Sequence, residues 1–128
     1  NATLVAFSAY VSMDTETSPV VFDVILLNQG NGYDNVTGVF RAPVSGIYVI
    51  IWSVEAFNSQ DIGAQLYVDE EVVGHTWSDA SADNYDSSTG IVVTSVKRDS
   101  RVYVMLQEGT RVDALQSSFS GWLLGRNV

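Results

Sequence analysis

The run 46–57, Gly-Ile-Tyr-Val-Ile-Ile-Trp-Ser-Val-Glu-Ala-Phe, is the strongest constraint on what this chain can fold into. In a one-sided sheet a strand alternates apolar with polar residues, because successive side chains leave opposite faces. Every residue from Ile47 to Ile51 is apolar, so both faces of this strand need a cover. One face belongs to the core of the domain, and the simplest cover for the other is a second copy of the same chain. The plain alternative is a core wide enough to take both faces within one monomer.

The rest of the chain reads as strands. Runs rich in Val, Ile, Tyr and Trp fall at 5–13, 19–27, 39–42, 47–57, 64–68, 72–77, 91–96, 102–107 and 119–124, with turn-forming clusters of Gly, Asn, Asp and Ser between them, such as 28–32. No helical signature, linker or low-complexity tract interrupts the pattern. About ten short strands at this spacing predict an all-β sandwich or barrel. Val5, Phe7, Ala9 and Val11 alternate with Ala6, Ser8, Tyr10 and Ser12, and Val102, Val104 and Leu106 alternate with Tyr103 and Met105, which predicts one-sided strands.

At 128 residues the chain suits a single domain, 1–128, burying about two-thirds of its unfolded surface, and without cysteine it uses no disulfide framework. No run reaches the roughly 18 apolar residues of a membrane span. Residues 1–7 lack the basic start and cleavage region of a signal peptide, which is expected if the numbering begins at a mature or trimmed end. Six Lys and Arg against fifteen Asp and Glu give a formal charge of -9, a field that repels phosphate backbones and anionic membranes. Neither nucleic acid nor membrane insertion is expected. The charge is also uneven: 61–86 carries seven acids and no Lys or Arg, while Lys97, Arg98, Arg101 and Arg111 supply four of the six bases. Two solvated faces would explain this, and so would self-association or a local cation site.

A family resemblance emerges from the spacing of particular residues. Phe22, Asn28, Tyr33, Phe40 and the Gly46-Ile-Tyr48 triplet, with the turn Tyr33-Asp-Asn-Val-Thr-Gly38 and the terminal Phe119-Ser-Gly-Trp-Leu-Leu124, resemble the signature of the globular C1q domain across 6–124. The chain departs from that pattern after Tyr48, where Ile50 stands at a usually aromatic position and Trp52 keeps the next. The resemblance implies a ten-stranded jelly roll of two antiparallel sheets, shared with tumour necrosis factor ligands, that assembles as a homotrimer. In that arrangement Tyr48, Ile50 and Trp52 would fill the sandwich. Val49, Ile51, Val93, Phe119 and Leu123 would face the three-fold axis as the trimer interface.

Catalysis is not expected. Cys is absent and His75, the only histidine, lies between the apolar Val72-Val73 and Trp77, where a strand filler is expected rather than the base of a nucleophile; soft donors for a zinc site are lacking, and among the fifteen acids nothing singles out a glycosidase-type carboxylate pair. The glycines of 28–32 lack the Lys-Ser/Thr and the following helix of a phosphate cradle. The best candidate site is the stretch 79–86, where Asp79, Asp83 and Asp86 offer hard oxygen ligands at loop spacing. Asp79 and Asp86 also resemble positions at which C1q-domain proteins bind calcium near the axis, whereas Asp83 is added on proximity alone. A solvated acidic loop is the alternative. Two sequons, Asn1-Ala-Thr3 and Asn35-Val-Thr37, are weak signs of glycosylation and secretion.

The resemblance implies a secreted, extracellular recognition protein, similar to the single-head C1q-domain proteins of invertebrate innate immunity, with no Gly-X-Y stalk in this stretch. The expected function is lectin-like pattern recognition, binding glycans or microbial surface molecules, with Arg98 and Arg101 as contacts for acidic sugars. The rival is a trimeric soluble ligand or scaffold that binds protein receptors.

Overall fold

The computed structural model describes residues 4–57, 60–80, 85–108, 112–113 and 116–126. Among them there are ten strands and no helix: β1 Ala6–Tyr10, β2 Val24–Gln29, β3 Tyr33–Asp34, β4 Val39–Arg41, β5 Gly46–Phe57, β6 Asp61–Val68, β7 Glu71–Asp79, β8 Tyr85–Val96, β9 Arg101–Glu108 and β10 Ser118–Arg126. They form two five-stranded antiparallel sheets packed face to face, in the orders β2-β1-β10-β5-β8 and β3-β4-β9-β6-β7. This is the jelly-roll sandwich that the sequence predicts.

The alternation of β5 decides which side of the first sheet is core. Tyr48, Ile50, Trp52, Val54 and Ala56 are buried, while the odd-numbered residues between them are only half-buried. Each fully buried large side chain contributes on the order of 1.5–3 kcal/mol. Trp52 is the largest, and it fits only because two facing positions lack a side chain: a Cβ on Gly90 or on Gly74 would run into its indole ring. The indole Nε1 donates to Thr76 Oγ1 at 3.3 Å.

The spaced signature is structural. Phe7 stacks on Phe40 at 4.4 Å between ring centres and on Tyr33 at 5.5 Å, and Phe40 meets Tyr48 edge-on at 5.8 Å. Buried Tyr33 donates its hydroxyl to the Phe22 carbonyl at 2.8 Å and accepts from the Phe22 amide at 3.1 Å. Burial, reinforced by the Asp23 and Asp34 charges and only partly offset by the Phe22 hydrogen bond, pushes the Tyr33 hydroxyl pKa well up. Asn28 imitates a ladder partner, giving Nδ2–H to the Tyr33 carbonyl and taking its amide on Oδ1.

Three expectations need correction. Residues 19–23 are not strand; Val20 and Phe22 are buried, and the segment is held by Val20 N to Val104 O and by Tyr33. β8 begins at Tyr85 rather than at 91, because 85–90 continue the ladder with Trp52–Phe57 of the long strand β5, although Ser87, Ser88 and Gly90 have little strand propensity of their own. Most consequentially, Phe119 is fully buried in the sandwich, packed edge-on against Phe7 at 4.9 Å, and Leu123 is half-buried against the same core. Neither is free to line an axis. The outward residues of β10 are Ser120, Trp122 and Leu124, because alternation starts from a buried Phe119 and Gly121.

Candidate interaction surfaces

The outer face of the first sheet is built from three rows that run across its strands. Ala6, Trp122, Val49 and Val93 make one row, in cross-strand register from β1 through β10 and β5 to β8. Leu27, Ser8, Ser120, Ile51 and Ile91 make the next. Tyr10, Ser118, Ser53 and Thr89 make the third. Four of the hydroxyls in these rows pair with one another, Ser8 with Ser120 at 2.9 Å and Ser53 with Thr89 at 2.9 Å. Ile91, Val93, Trp122 and Leu27 are 65, 59, 42 and 48 % exposed.

No charged side chain stands in any of the three rows, although the chain carries 21 Asp, Glu, Lys and Arg in all, fifteen acidic and six basic. A solvated sheet face would carry several. The apolar residues cluster in the first two rows, where Trp122, Val49, Val93, Ile51 and Ile91 adjoin, and a contiguous apolar patch without charge is the kind that marks an interaction surface. Val49, Ile51 and Val93 lie on this outer face. Trp122, Ile91, Leu124 and Leu27 were not foreseen, since a strand apolar on both faces does not reveal from sequence which set points out.

Charge begins in the next row. Glu55 lies opposite Ser87, and its backbone amide donates to the buried Ser117 hydroxyl at 3.1 Å. Asp113 gives its backbone amide to the Glu55 carbonyl at 3.0 Å and shares a side-chain hydrogen bond with the Glu55 carboxyl. Burial, then the hydrogen bond to Asp113 and its charge, push the Glu55 carboxyl up to about 7.

The acidic candidates come together only in part. Asp79 donates its backbone amide to Asp86 Oδ2 at 2.7 Å, so one oxygen of Asp86 holds the end of β7. Asp83 lies outside the described residues. Among the described residues no three His, Cys, Asp or Glu side chains are grouped closely enough to hold a metal.

The basic candidates separate. Arg98 is exposed at a turn, its amide on Ser45 Oγ. Arg101 lies on β9 directly opposite Arg41 of β4, a residue that sequence reading passed over. Both line an open cleft of about 470 Å³ together with Asn31, Asp34, Thr37 and Val39. Arg101 contacts Glu70 at 3.0 Å and Asp69 at 3.7 Å. The Arg101 amide, together with hydrogen bonding from Ser100, holds the Asp69 carboxyl below its usual range. Asn35 of the second sequon is exposed in the turn before β4, with Nδ2 on the Asp23 carbonyl at 3.0 Å, and 1–3 lie outside the described residues. His75 is exposed on β7.

A family model described as the C1q domain matches residues 4–124. Human complement C1q and tumor necrosis factor-related protein 9B is 28 % identical over 127 residues, which cover 94 % of this chain and 37 % of that protein. The mouse complement C1q and tumor necrosis factor-related protein 9 is 29 % identical over 113 residues, covering 84 % and 33 %. The chain therefore spans little more than a third of the length of these relatives. Among solved structures, the globular domain of zebrafish complement 1qA superposes with a TM-score of 0.79 at 18 % identity, covering 97 % of this chain and 99 % of that one. The Eiger TNF of S. frugiperda gives 0.79 at 12 % identity, covering 99 % and 96 %. At such identities the likeness concerns the fold alone.

Proposed function

Because the chain belongs to the C1q domain family, we propose that it works as a secreted homotrimeric recognition module whose three copies pack through the outer face of the β2-β1-β10-β5-β8 sheet. The observation that carries this reading is the charge-free apolar face centred on Val49, Trp122, Ile51 and Ile91. A closed assembly removes that face from water and leaves the second sheet and the loops repeated three times. The clefts on the described surface are open and shallow, which suits contact with an extended surface rather than enclosure of a small substrate. Weak single-site contacts repeated threefold give useful avidity on a multivalent target.

What the module recognises has two readings. Glycan recognition is favoured by the open polar cleft at Arg41 and Arg101, lined by amide, hydroxyl and carboxylate groups suited to sugar hydroxyls. A protein receptor is favoured by the outer face of the second sheet. There exposed Trp77 and the stacked Tyr67–Tyr103 pair stand on β7, β6 and β9, with no charged residue in 62–68, 72–78 or 101–107 other than Arg101. A glycan array printed at high and low density distinguishes them. Binding that collapses at low density supports a trimeric lectin, and a blank array overturns the glycan reading in favour of a protein ligand.

A further inference from the structure

We propose that the cleft over Arg41 and Arg101 is a subsite for the carboxylate of an acidic sugar, an inference that rests on the glycan reading above. Like charges directly opposite one another across an antiparallel pair are destabilising, yet β4 and β9 place two guanidinium groups in register at this edge of the second sheet. The two are held differently. Arg101 is engaged by Asp69 and Glu70, but the Glu70 side chain is 87 % exposed, and a surface pair of this kind contributes little and exchanges easily. Arg41 has no carboxylate within 4 Å among the described residues. One of its nitrogens donates to the Asp99 carbonyl at 2.9 Å, which tethers the group and leaves the remaining N–H donors of its fork to solvent in the cleft.

The walls select among anions. Asn31, held in a left-handed conformation at φ 57°, and Thr37 flank the guanidinium pair. Asp34 uses one oxygen to accept from the Val36 amide at 2.8 Å, and the other remains an acceptor. A bare sulfate would meet the Asp34 charge with no hydroxyl to offer it, and a phosphate dianion would bring a second charge against the same carboxylate. A sugar acid presents one planar carboxylate to the Arg41 fork and hydroxyl donors to Asp34, and its single charge limits repulsion by the chain's net charge of -9. The ligand class is therefore a uronic or similar monocarboxylate sugar.

The test titrates methyl glucuronide and neutral methyl glucoside against isotope-labelled protein, following the Arg41 and Arg101 side-chain Nε–H signals, with wild type, Arg41→Ala, Arg41→Lys and Arg98→Ala. The glucuronide shifts both signals in wild type and in Arg98→Ala. Affinity falls at least about tenfold in Arg41→Ala, the loss of one charge-assisted contact, and Arg41→Lys does not restore it because the fork is lost. Unmoved signals, equal response to the glucoside, or full affinity in Arg41→Ala overturns the subsite. A positive glycan array with unmoved cleft signals overturns the subsite and keeps the lectin. A blank array with shifted signals overturns the lectin and keeps the carboxylate site.

Discussion

Trp122 lies directly opposite Val49 in the β5–β10 ladder, on the face of the sheet turned away from the core. Three residues earlier, Phe119 is fully buried on the opposite face of the same strand. Two aromatic residues of one strand thus have different tasks. Trp122→Glu is expected to leave a folded chain that no longer assembles, because a charge would be set into an apolar contact without a partner. Phe119→Ala is expected to cost about 3–5 kcal/mol of stability through the cavity it leaves. Thermal melts and molecular mass of the two variants check this, and the reverse pattern would restore Phe119 to the interface.

The fold was legible in sequence because its markers are core residues with obligatory partners. Phe22, Asn28, Tyr33, Phe40 and Tyr48 recur at fixed spacing since each packs on or hydrogen-bonds to another of them or to Phe7. The outer face was legible only by half. An unbroken apolar run announces that Val49 and Ile51 need cover, but in β10 Phe119, Trp122 and Leu123 are all apolar, and only the position of Gly121 beneath Phe7 and Ile50 fixes the phase. Arg41 carried no signal at all: its neighbour in space is Arg101, sixty positions on in the chain, and register across non-sequential strands is not written locally.

Tyr33→Phe removes a hydroxyl that both donates to and accepts from the backbone of Phe22. Two buried backbone groups would then lack partners, with an expected loss of about 1–3 kcal/mol, while ring packing on Phe7 is kept. Denaturant melts measure it, and an unchanged midpoint would show that segment 19–22 is held by other means.

The Glu55–Asp113 pair makes stability depend on pH. In the folded chain Glu55 titrates near 7, above its unfolded value of 4.5. The folded state therefore binds the extra proton, and the stability linked to it is fully present below about pH 4.5 and is lost as pH rises through 7. Glu55→Gln is expected to flatten this decline between pH 5 and 8, as thermal melts across that range would show. An equally steep decline in the variant would assign it to other groups.

Gly90→Ala tests the fit of Trp52. The added methyl meets the indole ring head-on, and overpacking of this kind costs about 1–3 kcal/mol. The pair Gly90→Ala/Trp52→Phe is expected to recover part of that loss, because the smaller ring vacates the space. A single substitution without effect on the melting temperature would show that β8 can move away from β5 at no cost.

Assembly through the outer face of the β2-β1-β10-β5-β8 sheet is tested most directly by sedimentation equilibrium of the purified domain at micromolar concentration, in parallel with Val49→Asp. Wild type is expected at three chain masses. Val49→Asp, in which each copy would bring an unpaired charge to the shared face, is expected at one chain mass with its β-sheet circular dichroism intact. A stable wild-type monomer would contradict the trimer outright, and a trimer that survives Val49→Asp would place the contact on another face.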